Sequence, residues 1–172
     1  MRIAILAALA AAAGAADVKP LPIVNGSMSQ GTDQCTGWDK RWNGGGTVTV
    51  ARDTKMFKEA PAALRIETSG DAKGNVYQMI EVAGGSTFDL SGFMKSEGVK
   101  VQVFVQAFNA EWKPIDYQML KNAWEPCPEW TSFSAKITVP AEAVRVGVGI
   151  AIDGNGKAWL DEVRNTADAK AK

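Results

Sequence analysis

What the chain could do chemically is bounded first by a residue it lacks: the sequence contains no histidine. Ser–His and Cys–His nucleophile systems are therefore excluded, and so is histidine-ligated zinc. No Gly-x-x-x-x-Gly-Lys-Ser/Thr loop is present to cradle phosphate. A glycosidase needs only two facing carboxylates, and two pairs qualify by proximity, Glu125 with Glu129 and Asp161 with Glu162. The first pair lies in Trp124-Glu125-Pro126-Cys127-Pro128-Glu129-Trp130, which reads as a rigid, solvated, proline-broken loop. The second pair is adjacent on an expected strand, so its members point to opposite faces and cannot flank one bond. The inventory points to no catalyst.

It suits binding better. A glycan site needs flat aromatic faces for sugar C–H groups and planar polar side chains for hydroxyls. The segment Val99–Phe108 sets Lys100, Gln102, Phe104, Gln106 and Phe108 against a stripe of Val99, Val101, Val103, Val105 and Ala107. Arg145, Gly147, Gly149 and Asp153 oppose a second stripe of Val144, Val146, Val148, Ile150 and Ile152. Glycines beside a line of glutamines would leave a groove; the alternative is a solvated or loop-covered face, with the glycines relieving sheet strain. A long expected loop, Asn109–Trp124, offers Trp112, Tyr117 and Trp124 as stacking platforms, or else as caps on the core. Trp42, between Arg41 and Asn43, is a further loop aromatic. The candidate ligand residues are thus Trp42, Gln102, Phe104, Gln106, Trp112, Tyr117, Trp124 and Arg145.

The elements that must position them are strands. Besides the two striped segments, period-two alternation predicts strands over Thr47–Ala51, Ala63–Thr68, Val76–Val82, Thr87–Lys95, Ser132–Val139 and Ala158–Val163. Turn signals separate them at Gly44-Gly45-Gly46, Gly70–Asn75, Gly84-Gly85 and Asp153-Gly154-Asn155-Gly156, the last reading as a hairpin. About eight or nine short strands at this spacing imply an all-β, two-sheet antiparallel sandwich. No later segment has a convincing helical period.

The 172 residues suit one domain. Residues 1–16 read as a cleavable signal peptide: Arg2, an apolar run from Ile3 to Ala13, then small residues. Residues 17–166 form the domain and residues 167–172 a polar tail expected to be disordered. Without Arg2, 18 of the 19 basic side chains remain against 19 acidic ones. A near-neutral chain lacks the charge to release counterions from nucleic acid, and no segment after the leader is apolar enough to span a membrane. Secretion or periplasmic retention follows, with a monomer expected. In an exported protein Cys35 and Cys127 are expected to pair. Such a bridge closes a loop of about 92 residues and is worth roughly 4–5 kcal/mol in the chain-entropy model; two free thiols are the alternative.

Leu21-Pro22-Ile23-Val24-Asn25-Gly26-Ser27-Met28 with Gly37-Trp38 opens the domain, and Gly156-Lys157-Ala158-Trp159-Leu160-Asp161-Glu162-Val163 closes it. Between them stand Val82–Lys95, with its glycine turn, and the tryptophan–strand–proline step from Trp130 to Pro140. In this order the segments resemble the galactose-binding-like β-jelly-roll carbohydrate-binding modules of families 4, 9 and 22, across roughly residues 21 to 165. One departure is Gly92, where the family places an apolar core residue. The resemblance implies a jelly roll, packing roles for Trp38, Trp130 and Trp159, and a polysaccharide or glycan ligand. No cofactor is required. A structural calcium is implied at Asp161, although Ser27-Met28-Ser29 replaces the family's acidic N-terminal segment. The leading expectation is a secreted, non-catalytic carbohydrate-binding domain. A structural or adhesive envelope domain comes second, and a small polysaccharide-degrading enzyme third.

Overall fold

A computed structural model describes residues 22–70 and 72–165. The expected leader at 1–16 and tail at 167–172 lie outside the described residues. Ten strands run along the chain: β1 (Lys40–Asn43), β2 (Thr47–Asp53), β3 (Ala63–Ser69), β4 (Lys73–Glu81), β5 (Thr87–Glu97), β6 (Lys100–Phe108), β7 (Pro114–Glu125), β8 (Thr131–Thr138), β9 (Arg145–Asp153) and β10 (Gly156–Asn165). They form two five-stranded sheets, a front sheet ordered β1-β4-β9-β6-β7 and a back sheet ordered β2-β3-β10-β5-β8. Every pairing is antiparallel. This is the expected all-β sandwich.

Alternation places the core between the sheets. Val101, Val103, Val105 and Ala107 of β6 and Val146, Val148, Ile150 and Ile152 of β9 are buried there. They meet Leu64 and Ile66 of β3, Leu90 and Met94 of β5, and Leu160 of β10. Each such side chain, fully buried, contributes about 1.5–3 kcal/mol. Val144, counted in the second stripe, falls before β9 and is exposed.

One turn does a different job from the one expected. Asp153-Gly154-Asn155-Gly156 joins β9 of the front sheet to β10 of the back sheet, so it crosses the sandwich instead of closing a hairpin. The chain changes sheet again between β3 and β4 and at Gly84-Gly85 between β4 and β5. Residue-by-residue alternation survives these crossings, because both sheets bury their inner faces in the same core.

The two end motifs meet. The Val163 amide donates to the Gly26 carbonyl at 2.9 Å. A Cβ on Gly26 would stand 1.9 Å from the Val163 carbonyl oxygen, so only glycine permits this approach. Trp38 is fully buried and donates from its indole to the Asn25 carbonyl at 3.2 Å. Trp159 is also buried and donates to Asp53 Oδ2 at 3.0 Å.

The expected disulfide is absent: Cys35 and Cys127 are free, buried thiols. Cys35 Sγ lies against the Ala63 carbonyl of β3 and Cys127 Sγ against the Met94 carbonyl of β5. β10 runs between those two strands. The two sulfurs thus seat on strands about 9.5 Å apart at ordinary spacing, far beyond the roughly 2 Å of an S–S bond. Shared export context said nothing about this intervening strand.

Candidate ligand-binding face

The outward side of the front sheet gathers the candidate residues. Cross-strand register lays them out in rows. Trp42, Asn75, Ala151 and Gln102 form one row across β1, β4, β9 and β6. Tyr77, Gly149, Phe104 and Met119 form the next, and Met79, Gly147, Gln106 and Tyr117 the third. Glu81, Arg145 and Phe108 follow at the far end.

The expected loop Asn109–Trp124 is mostly strand. Its turn, residues 109–113, is templated by Asn109, whose Oδ1 accepts from the Glu111 amide at 3.1 Å and the Lys113 amide at 2.9 Å. β7 follows on the sheet edge, and its ladder with β6 skips Ile115 and Leu120. Those two apolar residues pack against the core from bulged positions five residues apart. Bulges break period-two alternation, which is why the segment did not read as a strand. Tyr117 and Met119, between the bulges, project outward.

The glycine lane on β9 is not an open groove. A Cβ on Gly149 would lie 2.2 Å from the Val76 carbonyl oxygen and 2.5 Å from Tyr77 Cβ, and one on Gly147 would lie 3.0 Å from Tyr77 Cδ2. The glycines admit the Tyr77 ring. That ring packs edge-on against Phe104 at 6.2 Å between centroids, and Phe104 stacks beneath Tyr117 at 5.3 Å and 14°. Gln102 is 2% exposed; its Nε2 donates to the Tyr117 hydroxyl, and its Oε1 has no partner. Burial pushes the Tyr117 phenol up to about 12, opposed by its bond to Gln102.

A second cluster sits at the far end. The Arg145 guanidinium lies 3.9 Å over the Trp112 ring and donates from Nη1 to the Asn109 carbonyl at 3.0 Å. Phe108 supports Trp112 from 6.5 Å. Trp112 is 59% exposed and has φ 65°, a left-handed value that bulky side chains seldom adopt. Trp124 shares that strain, at φ 59°, near the end of β7.

The structure therefore brings Gln102, Phe104, Gln106, Tyr117 and Arg145 onto one face, with Trp112 at its end and Trp42 and Trp124 at its borders. It adds Asn75, Tyr77 and Met79 of β4, which sequence reasoning missed. For Tyr77 and Met79 the signal was present: they alternate with Val76, Gln78 and Ile80 in the segment Val76–Val82 already read as a strand, whereas Asn75, expected in the turn before it, lies within β4.

The carboxylates take structural positions. Glu125 and Glu129 are exposed, at the end of β7 and before β8. Asp161 is fully buried; its Oδ2 accepts from the Lys58 and Glu59 amides at 2.9 and 3.0 Å, and its Oδ1 from the Glu162 amide at 2.8 Å. Glu162 pairs with Arg164. The donor set around Asp161 does not suit the calcium implied by the resemblance. Both of its oxygens face N–H donors, and the nearby N-terminal carbonyls of Met28 and Ser29 accept from Arg52 at 2.8 and 3.4 Å. Among the described residues no three acidic, histidine or cysteine side chains cluster.

No family model matches the chain. It is 26% identical over 136 residues to the tRNA(Glu)-specific nuclease WapA of Bacillus subtilis subsp. natto and, equally, to the tRNA nuclease WapA of Bacillus subtilis strain 168. Those alignments cover 69% of this chain but only 6% of each relative. Among solved structures it is similar to the enzymatically active domain of bacteriophage CBA120 tailspike protein 4, at TM-score 0.69 and 16% identity, covering 84% of this chain and 21% of that one. It is also similar to the CBM22-1 xylan-binding domain of Paenibacillus barcinonensis Xyn10C, at TM-score 0.57 and 14% identity over 77% of this chain and 86% of that one. A third is TmCBM61 in complex with β-1,4-galactotriose, at TM-score 0.53 and 12% identity over 85% and 97%. Family 22 xylan-binding domains and other carbohydrate-binding β-sandwich modules are thus its structural neighbours, and what they share with this chain at such identities is the fold.

Proposed function

We propose that this chain is an exported, non-catalytic carbohydrate-binding domain whose ligand rests on the outward face of the front sheet. One observation carries the reading: Trp42, Trp112, Tyr117, Met119 and Trp124 are all large, apolar and exposed, and all belong to β1, β7 or the turn before β7. Scattered exposed apolar residues need no explanation, but four of these lie on or just before β7, with Trp42 across the sheet on β1, and such a grouping marks an interaction surface. Aromatic rings beside Gln106 and Arg145 match what sugars present, apolar C–H faces edged by hydroxyls; Gln102, buried beneath Tyr117, supports that ring instead of meeting the ligand. The strained backbone at Trp112 and Trp124 supports the same assignment, since such conformations concentrate at functional positions. The xylan-binding domain and the galactotriose-bound TmCBM61 named above favour this ligand class. The apolar segment Ile3–Ala13 favours export.

Affinity electrophoresis and glycan arrays with the purified protein test the reading. Binding should appear for at least one polysaccharide and fall about threefold or more in Trp112→Ala or Tyr117→Ala, as for exposed aromatic contact residues. Binding undiminished by loss of both rings would overturn the site. Release of reducing sugar by the wild-type protein would overturn its non-catalytic character.

A further inference from the structure

The shape of this face carries a more specific conclusion about its ligand, resting on the glycan-binding reading above. A domain that takes a single soluble polysaccharide chain needs a groove that contacts the chain from its floor and both sides. Here the centre of the face is filled. Ala151, Gln102 and Phe104 are at most 5% exposed, and Gly147 and Gly149 are buried beneath Tyr77. Tyr117 lies nearly parallel over Phe104, so its outer surface stands a full ring above the sheet. The exposed rings sit on the borders, Trp42 on β1 and Tyr117 on β7, four strands apart. That separation is about 19 Å at ordinary strand spacing, and the rings between them are the half-buried Tyr77 and the buried Phe104.

Charge complementarity fits an uncharged partner. At one end of the face Asp153 stands between Lys73, paired with it at 2.9 Å, and Lys100, its cross-strand neighbour on β6. At the other end Arg145 stands cross-strand from Glu81 and is turned onto Trp112 and the Asn109 carbonyl. Little net charge is offered to an acidic glycan.

Contact from one side only buries little of a flexible chain, and the cost of ordering that chain on binding consumes much of the gain. A chain already ordered in a solid carries no such cost. We infer that the ligand is the flat surface of an insoluble, uncharged polysaccharide, engaged by several separated rings at once, and not a single soluble chain.

The test compares solid and soluble forms of the same sugar. Depletion of the protein from solution is measured on microcrystalline cellulose, insoluble xylan and chitin, and titration calorimetry is run with cellohexaose, xylohexaose and chitohexaose. The expected result is saturable depletion on at least one solid, with the matching hexasaccharide bound at least about thirtyfold more weakly. Trp42→Ala and Trp112→Ala should each weaken depletion about threefold or more, and together by about the product of the two, because distant contacts act independently. Both side chains are more than half exposed, so thermal melts should match wild type. A hexasaccharide bound as tightly as its solid would overturn this inference and leave the glycan-binding reading standing. No depletion on any of the three solids would overturn this inference, and a blank glycan array beside it would overturn the glycan-binding reading as well.

Discussion

At the scale of single residues, the front face rests on one glycine. Gly149 lets β9 pass beneath Tyr77, and a methyl group there meets backbone at 2.2 Å, which a rotamer change cannot relieve. Gly149→Ala should therefore destabilise the fold by about 1–3 kcal/mol or more, the range for overpacked interiors, read as a lower midpoint in chemical denaturation. An unchanged midpoint would mean that Tyr77 does not lie over the strand. Asp161 makes a different kind of demand. Burial raises its carboxyl from 3.8 to about 6, helped by Glu59 and opposed by the Lys58 and Glu59 amides and by Arg164. A raised folded-state value means that the native protein holds its proton more tightly than the unfolded chain does. This group's contribution is therefore complete below about pH 3.8 and is lost as pH rises through about 6. A shift of about two units corresponds to about 3 kcal/mol at most. Between pH 4 and pH 7 the wild type should lose stability relative to Asp161→Asn. Parallel stability profiles for the two proteins would refute the assignment.

At the scale of elements, the opening loop is held by an arginine. The Arg52 side chain, from the end of β2, donates from Nε to the Met28 carbonyl and from Nη2 to the Ser29 carbonyl. A fixed guanidinium thus supplies the positive charge that those carbonyls would otherwise seek from a cation. Arg52→Met should cost about 1.5–3 kcal/mol, the worth of hydrogen bonds to a charged group, while calcium or EDTA should leave the wild-type melting temperature unchanged. A calcium-dependent rise of several degrees would show that a cation site persists. Elements also mark the limit of what could be read from the residues. β5, β6 and β9 were legible because uninterrupted alternation buries every second residue, as in Thr87–Glu97. β7 was not, because its bulges at Ile115 and Leu120 shift which parity faces inward. β1 was not, because four residues, Lys-Arg-Trp-Asn, carry no period. Gln102 and Phe104 were placed on the right face but expected to be open to solvent; that β7 would fold Tyr117 down onto them depended on a strand that alternation could not reveal.

At the scale of the whole molecule, the question is what holds the two sheets together. A disulfide between Cys35 and Cys127 would have cross-linked distant parts of the chain, but both thiols are free and β10 separates the strands they pack on. The sandwich is then secured by the apolar layer that both sheets share, with Cys35 and Cys127 themselves members of it as small hydrophobic side chains. Burial pushes the Cys35 thiol up to about 12, against the opposing pull of Arg52. A thiol that is both buried and protonated reacts only when the structure opens. Reductant should therefore leave the melting temperature unchanged. A thiol-specific reagent at pH 8 should label Cys35 slowly in the native protein, and both cysteines rapidly in denaturant without prior reduction. A protein that resists labelling in denaturant until it is reduced, and melts lower afterwards, would restore the disulfide.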